Sequence, residues 1–194
     1  MAAETSTASR ADGRTLPGDI NMWVFVLGDM VFFGAYCVIF MFYRTREQDM
    51  FLQSQRHLSL ATGVINTLFL LTSSRFVALA VQAVRDGKHE RATRLVGVGG
   101  LFGIAFVALK IHEWYVLSHH GFALSTNDFF MFYFALTAIH VFHVLLGMFV
   151  LGLVVRELRR DDLQRTWVVE AGATYWHMVD LIWVLLFAIL YVMR

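Results

Sequence analysis

Asn127-Asp128-Phe-Phe-Met-Phe-Tyr133-Phe-Ala-Leu-Thr137-Ala-Ile-His140-Val-Phe-His143-Val-Leu-Leu-Gly147 opens a run that stays apolar to Val155 and ends at Arg156. No Lys, Arg, Asp or Glu lies between Phe129 and Val155. The run can therefore cross a bilayer, for which about 20 apolar residues suffice. Yet two imidazoles, His140 and His143, sit near its middle. On a helix a spacing of three places them on one face, with Leu136 and Gly147 on the same stripe. Hydrocarbon offers imidazole no hydrogen-bond partner, so that face must look into protein. The rest of the chain has to supply the partners.

Composition agrees with a membrane setting. The chain has 194 residues, of which 58% are hydrophobic, with one Pro, nine Met and eighteen Phe, and its mean hydropathy is +0.59. These values describe a helical membrane protein better than a water-soluble domain. A net charge of +1 gives no basis for a nucleic-acid partner. Cys37 is the only cysteine, which excludes an intrachain disulfide and leaves a thiol with no activating neighbour. Residues 1–18 are small and polar and end in Pro17-Gly18; they read as a flexible cytoplasmic tail. Residues 19–194 form the membrane domain, with Asp19 placed to cap its first helix. The first apolar run is too long for a cleaved signal peptide and reads as a retained span.

Five apolar segments follow, at about 20–43, 58–84, 95–117, 128–155 and 171–193. Each must be helical, because an open strand leaves its backbone groups unsatisfied in lipid. The expected fold is an all-α integral membrane protein, a bundle of five transmembrane helices. The short connections make successive helices antiparallel. Arg10, Arg14, Arg85, Lys88, Arg91, Arg94, Arg156, Arg159, Arg160 and Arg165 fall on one side, and Arg44, Arg46, Arg56 and Arg194 on the other. The positive-inside rule places the N-terminus in the cytoplasm and the C-terminus outside.

Several polar residues lie at membrane depth. Asp29 is nine residues into the first span, roughly 14 Å at 1.5 Å per residue. On the last span Glu170, Thr174, His177 and Asp180 continue along one face. By depth, Asp29, His140, His143, His177 and Asp180 form a middle polar layer linking spans one, four and five. That layer either handles protons or orders helix packing. Lys110 ends the third span and is expected to reach outward to the surface. Arg75 lies toward the inner end of span two, within range of headgroups or a carboxylate. Gly99 and Gly103 have the spacing that lets two helices approach closely. A His-x-x-His pair is half a metal site, but zinc and di-iron centres take three or more ligands. A hydrogen-bonded structural network is the preferred reading, and no metal is assigned.

Four signatures in order carry a family resemblance: Met22-Trp-Val-Phe-Val-Leu-Gly-Asp29-Met-Val-Phe-Phe-Gly34; His112-Glu113-Trp114-Tyr115 with Thr126-Asn127-Asp128; Phe134-Ala-Leu-Thr137-Ala-Ile-His140-Val-Phe-His143-Val-Leu-Leu-Gly147; and Glu170-Ala-Gly-Ala-Thr-Tyr175-Trp176-His177-Met-Val-Asp180-Leu-Ile-Trp183. Over residues 17–194 the chain resembles subunit III of the haem–copper respiratory oxidases, here in a short form without two leading helices. Leu16-Pro-Gly-Asp19, Asn127-Asp128-Phe-Phe-Met-Phe-Tyr133 and Ile65-Asn66-Thr-Leu-Phe-Leu-Leu-Thr72-Ser73-Ser74 resemble its NorE-type branch, found with nitric oxide reductases and some oxidases.

The resemblance implies a non-catalytic accessory subunit in a bacterial inner membrane. It would work beside the catalytic subunit of a haem–copper oxidase or nitric oxide reductase, supporting its assembly, stability and proton supply. Haem and copper or iron belong to the partner subunits; this chain carries no cofactor of its own beyond a bound phospholipid. The family acid on the first core helix is usually Glu, and Asp29 is one methylene shorter. The resemblance makes Glu113, Glu170, Tyr175 and Trp176 lipid-contact or packing residues and assigns no catalytic residue. Two other classes stand beside this one: a membrane metalloenzyme built on His140, His143 and His177, and a small proton-conducting membrane protein with Asp29 in its path.

Overall fold

A computed structural model describes residues 20–159 and 166–193. The 1–18 tail, the Asp19 cap and the basic residues Arg10, Arg14, Arg160, Arg165 and Arg194 lie outside the described residues. Among the described residues every regular element is helical: α1 (Ile20–Arg46), α2 (Gln48–Gln55), α3 (Leu60–Arg85), α4 (His89–His119), α5 (Asp128–Leu158) and α6 (Thr166–Phe187), with a π-helical turn at Ala188–Val192. Five of the helices are long and apolar enough to cross a membrane.

The spans agree with the hydropathy pattern, and the differences have local causes. Helix α4 starts at His89 rather than near 95, because Glu90, Arg91 and Arg94 form its solvent-side turn, with an Arg94–Glu90 ion pair one turn apart. The segment after α1 is not merely a charged connection. It contains α2, whose Phe51 ring packs edge-on against Phe40 of α1 and Phe129 of α5 at 5.3 and 5.7 Å. Gln55 donates to the Leu190 carbonyl at 2.9 Å, and Asn127 donates to Ser54 at 2.8 Å. Helix α2 thus ties one end of the bundle together.

Capping sets the turns. The Asn127 side chain accepts from the Phe130 N–H at 3.0 Å, and Ser59 accepts from Thr62 at 3.3 Å, relieving orphan donors at the starts of α5 and α3. Helix α3 ends with Gly87 at φ +74°. There the Lys88 N–H reaches the Ala83 carbonyl at 2.8 Å and the Gly87 N–H reaches Val84 at 2.9 Å. This is a Schellman closure that favours glycine for its positive φ, and it folds α4 back along α3 after only three residues.

The long helices are not equivalent. Helices α3, α4, α5 and α6 pack in a ring, α3 on α4, α4 on α5, α5 on α6 and α6 on α3, while α1 lies outside against α5 and α6. In the most apolar stretch of α6, 61% of residues are buried inside the protein, against 22% for α1. Helix α1 docks through Val26, Phe33, Cys37 and Phe40, a stripe at helical spacing. Its remaining faces, with Val24, Leu27, Val31 and Val38, are exposed and suited to lipid or a neighbouring subunit.

Candidate functional site

The polar residues expected to form one layer are distributed over three places. Asp29 and His143 join α1 to α5, with Asp29 Oδ2 3.5 Å from His143 Nε2. His143 Nδ1 is 2.8 Å from the Ile139 carbonyl. A carbonyl only accepts, so Nδ1 carries a proton. Asp29 Oδ2 has no hydrogen-bond partner among the described residues, so its approach to Nε2 is a polar contact rather than a hydrogen bond. Phe33 stands edge-on to the His143 ring at 5.4 Å, and the Tyr175 hydroxyl approaches the His143 carbonyl at 3.5 Å. This pair is the polar tie between the peripheral helix and the ring.

His177 lies in the α3–α6 seam, where its Nδ1 hydrogen-bonds Ser74 Oγ and stands 3.9 Å from Asp180 Oδ2. Asp180 is buried, whereas His177 is 43% exposed. Farther along the seam Arg85 closes on Glu170 Oε1 through Nη2 at 2.9 Å and Nε at 3.2 Å. Gln82, Thr174 and His177 line the shallow groove between these points. Glu170 is thereby an ion-pairing residue on the seam.

His140 stands apart. It is fully buried, stacked on Trp183 at 5.3 Å and edge-on to Phe106 at 5.7 Å. Neither ring nitrogen has a hydrogen-bond partner among the described residues. His140 and His143 share a helix face, but their rings enter different surroundings. Among the described residues no group of three or more His, Cys, Asp or Glu side chains converges as a metal ion would require.

The most complete polar cluster contains a residue expected elsewhere. Lys110 does not reach outward; it is fully buried. Its Nζ donates to Glu113 Oε2 at 2.9 Å, to the Tyr191 hydroxyl at 2.7 Å and to the Tyr133 hydroxyl at 3.3 Å. Tyr191 in turn lies 2.9 Å from both Glu113 oxygens. The ammonium also sits 4.9 Å from the ring centroids of Tyr133 and Trp183 and 5.1 Å from that of Tyr191, a cation–π enclosure. The π-helical turn positions Tyr191, and Gly63 makes room for it, since a Cβ there would stand 2.8 Å from Tyr191 Cδ1. The signal in the sequence was the Lys110/Glu113 spacing of three, which puts opposite charges on one helix face.

Trp176 fills the centre of the ring. It is fully buried, and its indole N–H donates to Ser73 Oγ at 3.0 Å, which donates to the Gly99 carbonyl at 2.7 Å. Its flat slot is cut by two glycines. A Cβ at Gly103 would stand 2.9 Å from Trp176, and one at Gly147 2.8 Å. Gly99 and Gly103 do mark close approach, but to different neighbours: Gly99 admits α3, and Gly103 admits the indole of α6.

Five membrane-length helices held together by aromatic packing and a few buried polar contacts define a helical membrane scaffold. The family model for cytochrome c oxidase subunit III matches residues 19–194, and the chain belongs to that family. It is similar to cytochrome c oxidase subunit 3 of Bacillus sp. (strain PS3), 25% identical over 198 residues, covering 100% of this chain and 95% of the relative. Quinol oxidase subunit 3 of Bacillus subtilis (strain 168) is 27% identical, covering 90% of this chain and 86% of the relative. Cytochrome c oxidase subunit 3 of Synechocystis sp. is 26% identical, covering 97% and 82%.

Proposed function

We propose that the chain is the non-catalytic, subunit III-type component of a respiratory haem–copper oxidase or nitric oxide reductase complex. The observation that carries this is the family match over the whole membrane domain, residues 19–194. The architecture supports it: the buried Lys110–Glu113 cluster and the Trp176–Ser73 contact are spent on holding the bundle together, and the outer faces of α1 and α3 are largely apolar. Haem and copper or iron belong to the catalytic partner. The chain sits in a bacterial inner membrane with its N-terminus in the cytoplasm, it contacts membrane lipid, and it stabilises the partner during assembly and turnover. The NorE-type branch is the preferred placement, on the segments around Leu16–Asp19, Ile65–Ser74 and Asn127–Tyr133.

The test is affinity isolation of the tagged chain from native membranes in mild detergent, followed by haem spectra, subunit identification and elemental analysis. A haem-bearing partner is expected. Copper in the isolate selects an oxidase, and iron without copper selects a nitric oxide reductase. Recovery of the chain alone refutes the proposal. If the Asp29–His143 contact serves proton supply, Asp29→Asn keeps normal haem per tagged chain and loses activity faster during turnover. If the contact only docks α1, the same variant loses partner haem at isolation.

A further inference from the structure

Arg75 lies on the outward face of α3, exposed, with no hydrogen bond or ion pair to any described residue. It interrupts an apolar stripe at helical spacing that runs Val64, Leu68, Leu71, Arg75 and Leu79. Val64, Leu68 and Leu71 are 41%, 57% and 48% exposed. The neighbouring serines turn inward, Ser73 to Trp176 and Ser74 to His177, which fixes Arg75 on the side away from the ring. It therefore lies beside the His177–Ser74 contact along the helix while facing the surroundings of the bundle.

Its depth decides what can pair with it. Arg75 is ten residues from Arg85 and fifteen from Leu60, roughly 15 and 22 Å at 1.5 Å per residue. With a hydrocarbon core about 30 Å thick, the guanidinium-bearing position is well inside the apolar zone. The nearer membrane surface is at the Arg85 end. Helical side chains leave the backbone toward the N-terminus, here toward Leu60. Snorkelling to the nearer headgroups thus runs against the Cα–Cβ direction. The planar fork of a guanidinium pairs in two parallel bonds with a carboxylate. The groove beside it is lined by Leu68, Leu71, Thr72, Phe76 and Leu79, a mainly apolar surface that an apolar helix carrying one acidic side chain would complement.

We infer that the α3 face centred on Arg75 docks the membrane-embedded catalytic partner, with Arg75 paired to a single Asp or Glu carboxylate of that partner inside the bilayer. This rests on the accessory-subunit reading and specifies which surface carries it. The pair sits in a low-dielectric interface, so it resists salt that would screen an aqueous pair.

The test compares haem recovered per tagged chain for wild type, Arg75→Leu, Arg75→Lys and Arg75→Glu in native membranes. Loss of one partner of a desolvated charge pair is expected to lower recovery by about tenfold or more for Arg75→Leu and further for Arg75→Glu, with partial retention in Arg75→Lys. Helical content and monomer elution of the isolated variants guard against a folding defect. A second arm labels Leu79→Cys, in a Cys37→Ser background, with a photoactivatable benzophenone; a crosslink to the haem-bearing subunit is expected. Adducts to phospholipid alone, or unchanged haem recovery in Arg75→Leu, overturn the inference. If wild type itself brings down no haem protein, the accessory-subunit reading has failed with it. If wild type does and Arg75→Leu does so equally, only the Arg75 interface has failed.

Discussion

Glu113→Ala is expected to destabilise the bundle by about 3–5 kcal/mol, the usual cost of stranding one member of a buried ion pair. Lys110 Nζ is then left among three aromatic rings and two hydroxyls, with no carboxylate near it. Lys110→Met reverses the problem, leaving Glu113 with the Tyr191 hydroxyl as its donor, and is expected to cost a similar amount. The double variant Lys110→Met/Glu113→Leu removes both charges and fills the site with apolar volume. It is expected to recover most of the loss, because desolvation offsets much of the attraction within a buried pair. Unfolding in mixed micelles followed by helical circular dichroism measures all four proteins, and the cycle gives the coupling directly. Single variants as stable as wild type, or a double variant no better than the singles, would contradict the geometry. Tyr191→Phe is a milder control, removing one hydroxyl but leaving the charges paired.

That cluster also shows where sequence reasoning stops. The five spans were legible because apolar length in lipid admits few solutions. The turn at Gly87 and the cap at Asn127 rest on local geometry, a positive φ and a side-chain hydrogen bond, and were not singled out in the sequence. The interior was harder. Lys110 near a span end has two physically sound destinations, the headgroups or a buried counter-charge. Only the position of Tyr191, set by the last π-helical turn 58 positions after Tyr133, decides for burial. The expected middle layer said nothing about direction, and its members do not all meet one another. Residues on α1, α5 and α6 look along different azimuths, so Asp29 meets His143 while His177 meets Ser74. Helix α2 was hidden because its eight residues include Gln48, Asp49, Gln53 and Gln55. Their polarity reads as a loop until Phe51 finds its aromatic slot.

Trp176 is the other place where a small change is expected to have a large effect. Trp176→Ala removes a fully buried indole and the hydrogen bond to Ser73, and is expected to cost about 3–5 kcal/mol. Gly147→Ala acts on the same contact from the opposite direction. Its methyl would stand 2.8 Å from Trp176 Cε3 and 3.3 Å from Tyr175 Cε1. Neither ring can yield easily, because Trp176 is also held against Gly103 and bonded to Ser73. Overpacking of this kind costs about 1–3 kcal/mol. The two changes are expected to be strongly non-additive: in a Trp176→Leu background the smaller side chain vacates the volume the methyl needs, so adding Gly147→Ala costs little or restores stability. Gly97→Ala supplies the contrast. Nothing lies within 4 Å of a Cβ at Gly97, so alanine there is expected to be neutral in the isolated chain or to stabilise α4 by up to about 1 kcal/mol. Equal penalties at Gly97 and Gly147 would mean that helix propensity, not the indole slot, governs these glycines. Selective loss at Gly147 that disappears with Trp176→Leu identifies the indole as the wedge that sets the spacing of α4, α5 and α6.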